Sequence, residues 1–257
     1  MNINTITIHP RSMDYPIWRA QLQWFSPYFD KNIVVFSGAV DDYDYSSFVR
    51  EGMGTIQNKM TFIEGEAPRG DQDWRDVAVN QALKESNSEW VLFLEQDFFW
   101  KSRNFLQTVL EATQDYDAIG FWEANRLHPA FLLVKRDFIE KTQKDFSVHH
   151  DIQLDHFGIF ARDLVAAGAR IGELEKLGLK MGESWYHLQG LTHNYSLCKS
   201  GDLTRIFKKD EFLTYNKKAR NINERQSDKF IELSIASENM LGRYEPQEWL
   251  NDFWEFM

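Results

Sequence analysis

Short apolar runs alternate along the first half of this chain with stretches whose apolar positions recur at helical spacing. Residues 3–10, "INTITIHP", read as a strand ending at His9-Pro10. "PIWRAQLQWFSPYF" (16–29) has helical spacing, with Ile17, Leu22 and Phe25 near one face. "NIVVFSG" (32–38) and "KMTFIEG" (59–65) are further strands, separated by the polar turn "VDDYDYSSF". "DWRDVAVNQALKES" (73–86) reads as a helix capped by Asp71 or Asp73, with Trp74, Val77, Ala78, Ala82 and Leu83 as its apolar stripe. The strand "EWVLFLEQD" follows, then the helix "FLQTVLEAT" and the strands "DAIGFW" and "AFLLVKRDF". A helix from about Phe157 to Ala167 is closed by Gly168. The predicted class is α/β, a mostly parallel sheet flanked by helices. A main domain over residues 1–200 and a C-terminal helical extension over 201–257 are expected.

In such sheets ligands bind beyond the carboxyl ends of the strands. His9-Pro10, Ser37-Gly38 and Glu95-Gln96-Asp97 all lie at such ends and are expected to converge on one crevice. The last is the most informative. Trp90, Val91, Leu92, Phe93 and Leu94 form an unbroken apolar run, as in a strand buried on both faces, which stops at two carboxylates. Charges at the edge of a core are costly unless compensated. In Glu95-x-Asp97 both side chains of an extended chain point the same way. A hard divalent cation takes such carboxylate oxygens and fills its shell with water and phosphate. Acids that only cap a turn are the plain alternative.

Composition narrows the classes. The chain has 257 residues, 43% of them hydrophobic, so it is globular. Its net charge of -10 argues against a surface devoted to nucleic acid or anionic membrane. One cysteine, Cys198, excludes an internal disulfide and a Cys-rich zinc site. No secretory signal and no run of membrane-spanning length is visible, so a cytoplasmic protein with no membrane span is expected. Aromatic residues make up 15% of the chain, and most are expected in the core; Trp185 is the best candidate for packing on a sugar ring.

The order strand, helix, strand in "RGDQDWRDVAVNQALKESNSEWVLFLEQDFFW" resembles the nucleotide-diphospho-sugar transferase (GT-A, Rossmann-like) fold, and family-2 glycosyltransferases in particular. The resemblance covers roughly residues 3 to 195. Gly70 matches the family's loop glycine, Asn80 the Asn of an Ala-Arg-Asn-like helix element, and Glu95-Gln96-Asp97 the D-x-D metal motif. It implies a metal-dependent glycosyltransferase with Mn2+ or Mg2+ and a nucleotide-sugar donor. Metal ligands would be Asp97 and Glu95, with a late histidine, His193 first or His187 second. His9, Pro10, Asp73, Arg75, Asn80, Glu95 and Gln96 would line the donor side. The sequence departs from the family at Glu95, at Val79 where an Arg is usual (Arg75, one turn earlier, supplies the charge), and at the displaced acidic turn Asp41-Asp42.

Asp155, ahead of "HFGIFARDL", resembles the acidic residue that faces the acceptor. As general base it implies inversion at the anomeric carbon, with Asp151 in reserve; capping the following helix is an equal reading. Five of the seven histidines lie between 149 and 193. A metal hydrolase built on them lacks a recognisable ligand spacing. A nucleotidyltransferase would carry glycine in the loop that here reads "HPRSMDYP". A decayed GT-A-like binding module stays open. The acceptor is unidentified: a glycan, a protein or a modified nucleobase in DNA. The basic stretch Arg205 to Arg225 would suit an acceptor's phosphates, or is simply a solvated helix face.

Overall fold

A computed structural model describes residues 1–10, 28–37, 60–66, 68–69, 72–95, 98–100, 103–123, 126–181 and 183–187. These belong to one compact unit, Met1–Arg11 with Phe25–His187. The expected extension over residues 201–257 and the helix at 16–29 lie outside the described residues, apart from Tyr28 and Phe29.

Nine strands and four α-helices are described. They run β1 (Ile3–Pro10), β2 (Lys31–Ser37), β3 (Met60–Glu64), α1 (Trp74–Glu85), β4 (Trp90–Leu94), β5 (Phe98–Trp100), α2 (Arg103–Ala112), β6 (Ala118–Glu123), β7 (Arg126–Lys135), α3 (Arg136–Ile139), α4 (Gly158–Ala166), β8 (Ile171–Glu173) and β9 (Trp185–His187). Seven form one sheet in the order β3-β2-β1-β4-β7-β6-β8; β5 and β9 form a separate antiparallel pair. All neighbours in the β3-β2-β1-β4 half are parallel, whereas β7 is antiparallel to both β4 and β6. β7 therefore begins where the other strands end. Among the described residues no helix is long and apolar enough to cross a membrane.

β4 shows why its five residues are all apolar. Val91 and Phe93 join a core built with Ala78, Val79, Ala82 and Leu83 of α1 and Phe160, Ala161 and Leu164 of α4. The alternate residues Trp90, Leu92 and Leu94 are equally buried, on the opposite face by the strand's alternation. A second, aromatic cluster joins Phe98, Trp100, Phe105, Phe121, Phe131 and Trp185, with the Phe98 and Trp185 rings stacked at 5.1 Å and Phe98 and Phe131 at 5.0 Å.

The α1 stripe differs from its expectation in two places. Val79 is buried and Trp74 is exposed. Trp74 opens the helix above the sheet, where the Arg75 guanidinium lies 5.2 Å from its ring. Asp73 is the cap: its carboxylate accepts from the backbone N–H of Arg75 at 2.8 Å. α4 ends as expected, with Gly168 at φ 79°.

The β6–β8 edge is closed by Asp117. Its carboxylate accepts from Arg170 through the backbone N–H at 3.1 Å and Nε at 3.0 Å. The hydrogen bonds from Arg170 hold the Asp117 carboxyl below its ordinary value of 3.8, against a smaller opposing effect of burial. A depressed carboxyl contributes stability that is present above its unfolded value and is lost as pH falls through its folded value. Asp117→Asn is thus expected to lower the melting temperature at neutral pH. The gap from wild type should close as pH falls below 3.8, which a series of melts would check. A gap independent of pH would assign the effect to packing. Arg170 is largely exposed, so solvent screens the pair and the loss is modest.

Candidate functional site

The carboxyl edge of the sheet gathers charged side chains from both directions of the chain. β4 delivers Glu95 immediately beyond its last residue. The Glu95 carbonyl accepts from the N–H of Phe98, the first residue of β5, at 3.2 Å. β5 then pairs with β9 in the register Phe98↔His187, which sets His187 beside Glu95. His187 Nε2 lies 3.4 Å from Glu95 Oε2. On the other side, Arg75 Nη1 approaches Glu95 Oε1 to 3.8 Å.

β7 enters the same edge from its start. Arg126 and His128, two residues apart, share one face. His128 Nε2 lies 3.3 Å from Glu123 Oε2 at the end of β6, and its ring centroid is 4.6 Å from that of His187. Glu95, His128 and His187 each bring a ligand-type atom within 4.8 Å of the others. Arg126 reaches the other way, to Asp155 Oδ2 at 2.8 Å and to the His156 carbonyl at 2.6 Å. His156 Nδ1 in turn lies 3.9 Å from Asp73 Oδ2 at the start of α1.

Electrostatics follow from these neighbours. Burial pushes the Glu95 carboxyl up. The hydrogen bond with His187 and the charges of His128 and Arg75 outweigh it and hold Glu95 well below the usual carboxylate range. Burial lowers the His156 imidazole from 6.5, and the neighbouring Arg75 lowers it further, so at neutral pH this ring is uncharged. Burial also lowers the Arg126 guanidinium from its ordinary value, opposed first by Asp155 and then by Glu95 and Glu123. The guanidinium stays charged.

The donor set fits a divalent ion at Glu95 and His187. Two ligand atoms each about 2.1 Å from an ion lie roughly 3.0 to 3.4 Å apart at octahedral or tetrahedral angles. The observed 3.4 Å matches that separation. His128 fits a different role. Its Nδ1 accepts from the Ala130 backbone N–H at 3.1 Å. Its Nε2 lies 3.1 Å from Arg126 Nη2 and 3.3 Å from Glu123 Oε2. His128 thus links Arg126 and Glu123 to the Glu95–His187 pair.

Of the residues expected from sequence, Asp73, Arg75, Glu95, His187 and Asp155 come together here. Gln96, Asp97, His193 and Gly70, and the side chains of His9 and Pro10, lie outside the described residues; the backbone of His9 and Pro10 closes β1 along the same edge. Asn80 is engaged elsewhere: its amide donates to the Asp76 carbonyl and to the Lys144 carbonyl, both at 3.1 Å. Asp151 is exposed in the short turn His150–Ile152. Two readings are corrected. Trp185 is only 1% exposed, its Nε1 donating to the Leu179 carbonyl, so it is core rather than a sugar platform. Asp155 does not cap α4; that position is Phe157, which supplies no side-chain cap. Glu123, Arg126, His128 and His156 were not singled out from sequence. The alternation Arg126-Leu127-His128 was the available signal.

No family model and no curated protein matches the sequence. Similarity is found among solved structures. A mannosyltransferase from Pyrobaculum calidifontis, in complex with GDP-Man and Mn2+, is 14% identical; the match covers 99% of this chain and 84% of that one, with a TM-score of 0.51. A glucosyl-3-phosphoglycerate synthase from Mycobacterium tuberculosis is 12% identical, covers 78% of this chain and 80% of that one, and has a TM-score of 0.46. At such identities the likeness is one of architecture, and this chain has the Rossmann-like GT-A fold found in nucleotide-diphospho-sugar transferases.

Proposed function

We propose that this protein is a metal-dependent glycosyltransferase that moves a sugar from a nucleotide-diphosphate donor to an acceptor hydroxyl, with inversion. The observation that carries the reading is the Glu95–His187 pair at the carboxyl end of β4, at 3.4 Å, with the Arg75 guanidinium beside it. The similar mannosyltransferase was solved with a nucleotide sugar and Mn2+, which agrees.

Glu95, His187 and Asp97 would hold the ion, which when bound neutralises the donor's diphosphate. An imidazole among carboxylates favours Mn2+ over Mg2+. Arg75 offers positive charge to the phosphates, and Asp73 fixes the start of its helix. His9, Pro10, Gln96 and Asn80 are assigned to the donor side. Asp155 accepts the proton of the acceptor hydroxyl as that oxygen bonds to the anomeric carbon. The bond from that carbon to the diphosphate oxygen breaks, and the nucleoside diphosphate leaves. Asp155 is half-exposed, open to an incoming acceptor, while Arg126 holds one of its oxygens.

Thermal melts with GDP- and UDP-sugars, each with and without Mn2+, test this. A ligand at about 100 times its dissociation constant adds roughly 2.7 kcal/mol, or about 5 to 10 °C at this size. A rise with one nucleotide family, present only with Mn2+, is expected. No rise with any of them removes the donor site.

A further inference from the structure

The Arg126 side chain is 6% exposed. Taking a guanidinium out of water is costly unless its donors are paired. Both terminal nitrogens of Arg126 reach one turn: Nη2 donates to Asp155 Oδ2 at 2.8 Å and Nη1 to the His156 carbonyl at 2.6 Å, with Nη2 also 3.1 Å from His128 Nε2. Its Nε has no partner among the described residues. The burial is therefore not optimised for stability alone. What it achieves is placement.

The turn it grips is otherwise hard to hold. The Asp155 carbonyl accepts from the Gly158 N–H at 2.9 Å, and Asp155 Oδ1 accepts from the His156 N–H at 2.8 Å. Between them Phe157 sits at φ 65° and ψ 4°, the third position of a type II turn, where glycine is usual. A bulky residue in that region is strained and persists only where its surroundings over-determine it. The Phe157 ring, packed 5.1 Å from Phe93 and 4.8 Å from Phe146, anchors one side. Arg126 anchors the other.

We propose that Arg126 is the positioning residue of Asp155, and that Arg126 and His128, neighbours on one face of β7, fix the acceptor half of the site relative to the donor half. Arg126 holds Asp155, while His128 packs against His187 beside Glu95. The proposal deepens the glycosyltransferase reading and, for its catalytic consequence, rests on it. Lysine cannot reproduce the two-pronged grip.

The test uses the full chain as wild type, Arg126→Gln, Arg126→Lys and Asp155→Asn. Amide hydrogen exchange is read at His156 and Gly158, with Val91–Phe93 of β4 as the internal control. A hydrogen bond to a charged group is typically worth more than a tenfold change in equilibrium. Exchange at His156 and Gly158 is therefore expected to quicken about tenfold in Arg126→Gln, and less in Arg126→Lys, while β4 stays protected. Unchanged exchange at the turn overturns the proposal whatever the activity. If β4 also loses protection in the glutamine variant, the lysine variant decides on the same criterion. The second readout is release of nucleoside diphosphate from UDP-glucose or GDP-mannose with Mn2+. In Arg126→Gln, kcat should fall about 100-fold at unchanged donor KM, and the double variant should fall no further than Asp155→Asn alone. Losses that add independently overturn the proposal. A wild type that releases no nucleoside diphosphate fails the glycosyltransferase reading, while the exchange experiment still decides whether Arg126 holds the turn.

Discussion

Glu95→Gln is expected to abolish the manganese-dependent rise in melting temperature while leaving the melt without ligand nearly unchanged. The substitution keeps the side chain's shape, and its amide oxygen still faces His187. It removes the negative charge that the surrounding His187, His128 and Arg75 hold in place. With the charge gone, a neutral amide oxygen and an imidazole are left to attract a hard cation, and the donor's diphosphate loses its counterion. The expected loss is the whole of the roughly 2.7 kcal/mol that saturating donor supplies at about 100 times its dissociation constant. Melts of the variant with Mn2+ and the best nucleotide sugar would check this. An undiminished rise would remove Glu95 from the metal site and leave Asp97 to carry it.

Asp155→Asn is expected to separate binding from transfer. The asparagine keeps a single side-chain oxygen, which accepts from Arg126 or from the His156 N–H, while the backbone bond from the Gly158 N–H to the Asp155 carbonyl still closes the turn. The amide cannot take a proton. A general base contributes about 10²- to 10⁴-fold, and kcat should fall by that factor with the Mn2+-dependent donor melt intact. Steady-state turnover and melts on one preparation measure both. Unchanged turnover would take Asp155 out of the chemistry, and Asp151, exposed in the turn before it, would be examined next.

Much of this architecture was legible where one force dominates. The apolar run from Trp90 to Leu94 is a strand because both its faces are covered, and no helix of that length fits between Ser88 and Glu95. Asp73 caps α1 and Gly168 closes α4 through backbone chemistry that depends on one residue each. What escaped depends on distant partners. "RLHP" at 126–129 does not read as a strand, since it mixes two basic side chains with a proline. It is the start of β7 because Glu123, Asp155 and the His156 carbonyl supply opposite charge and acceptors there. Only the antiparallel direction of β7 brings those side chains to the ligand edge, and direction is a property of the sheet, not of the segment. Phe157 is a similar case. Gly158 beside it is the residue that sequence rules favour for a left-handed conformation, yet Phe157 adopts it because its ring is needed in the core.

The reversed strand has a consequence for the order in which the protein becomes competent. The parallel half of the sheet and Glu95 come from the first hundred residues, but Arg126, His128, Asp155 and His187 arrive later in the chain. A nascent chain released only as far as β5 already carries the strand-end acid, without the histidine that pairs with it or the arginine that grips the base. The Glu95–His187 pair is complete only where β9 lies on β5, and Arg126 and His128 reach it only with β7 in place between β4 and β6. Under the proposed function, nucleotide binding would therefore serve as a readout of finished folding.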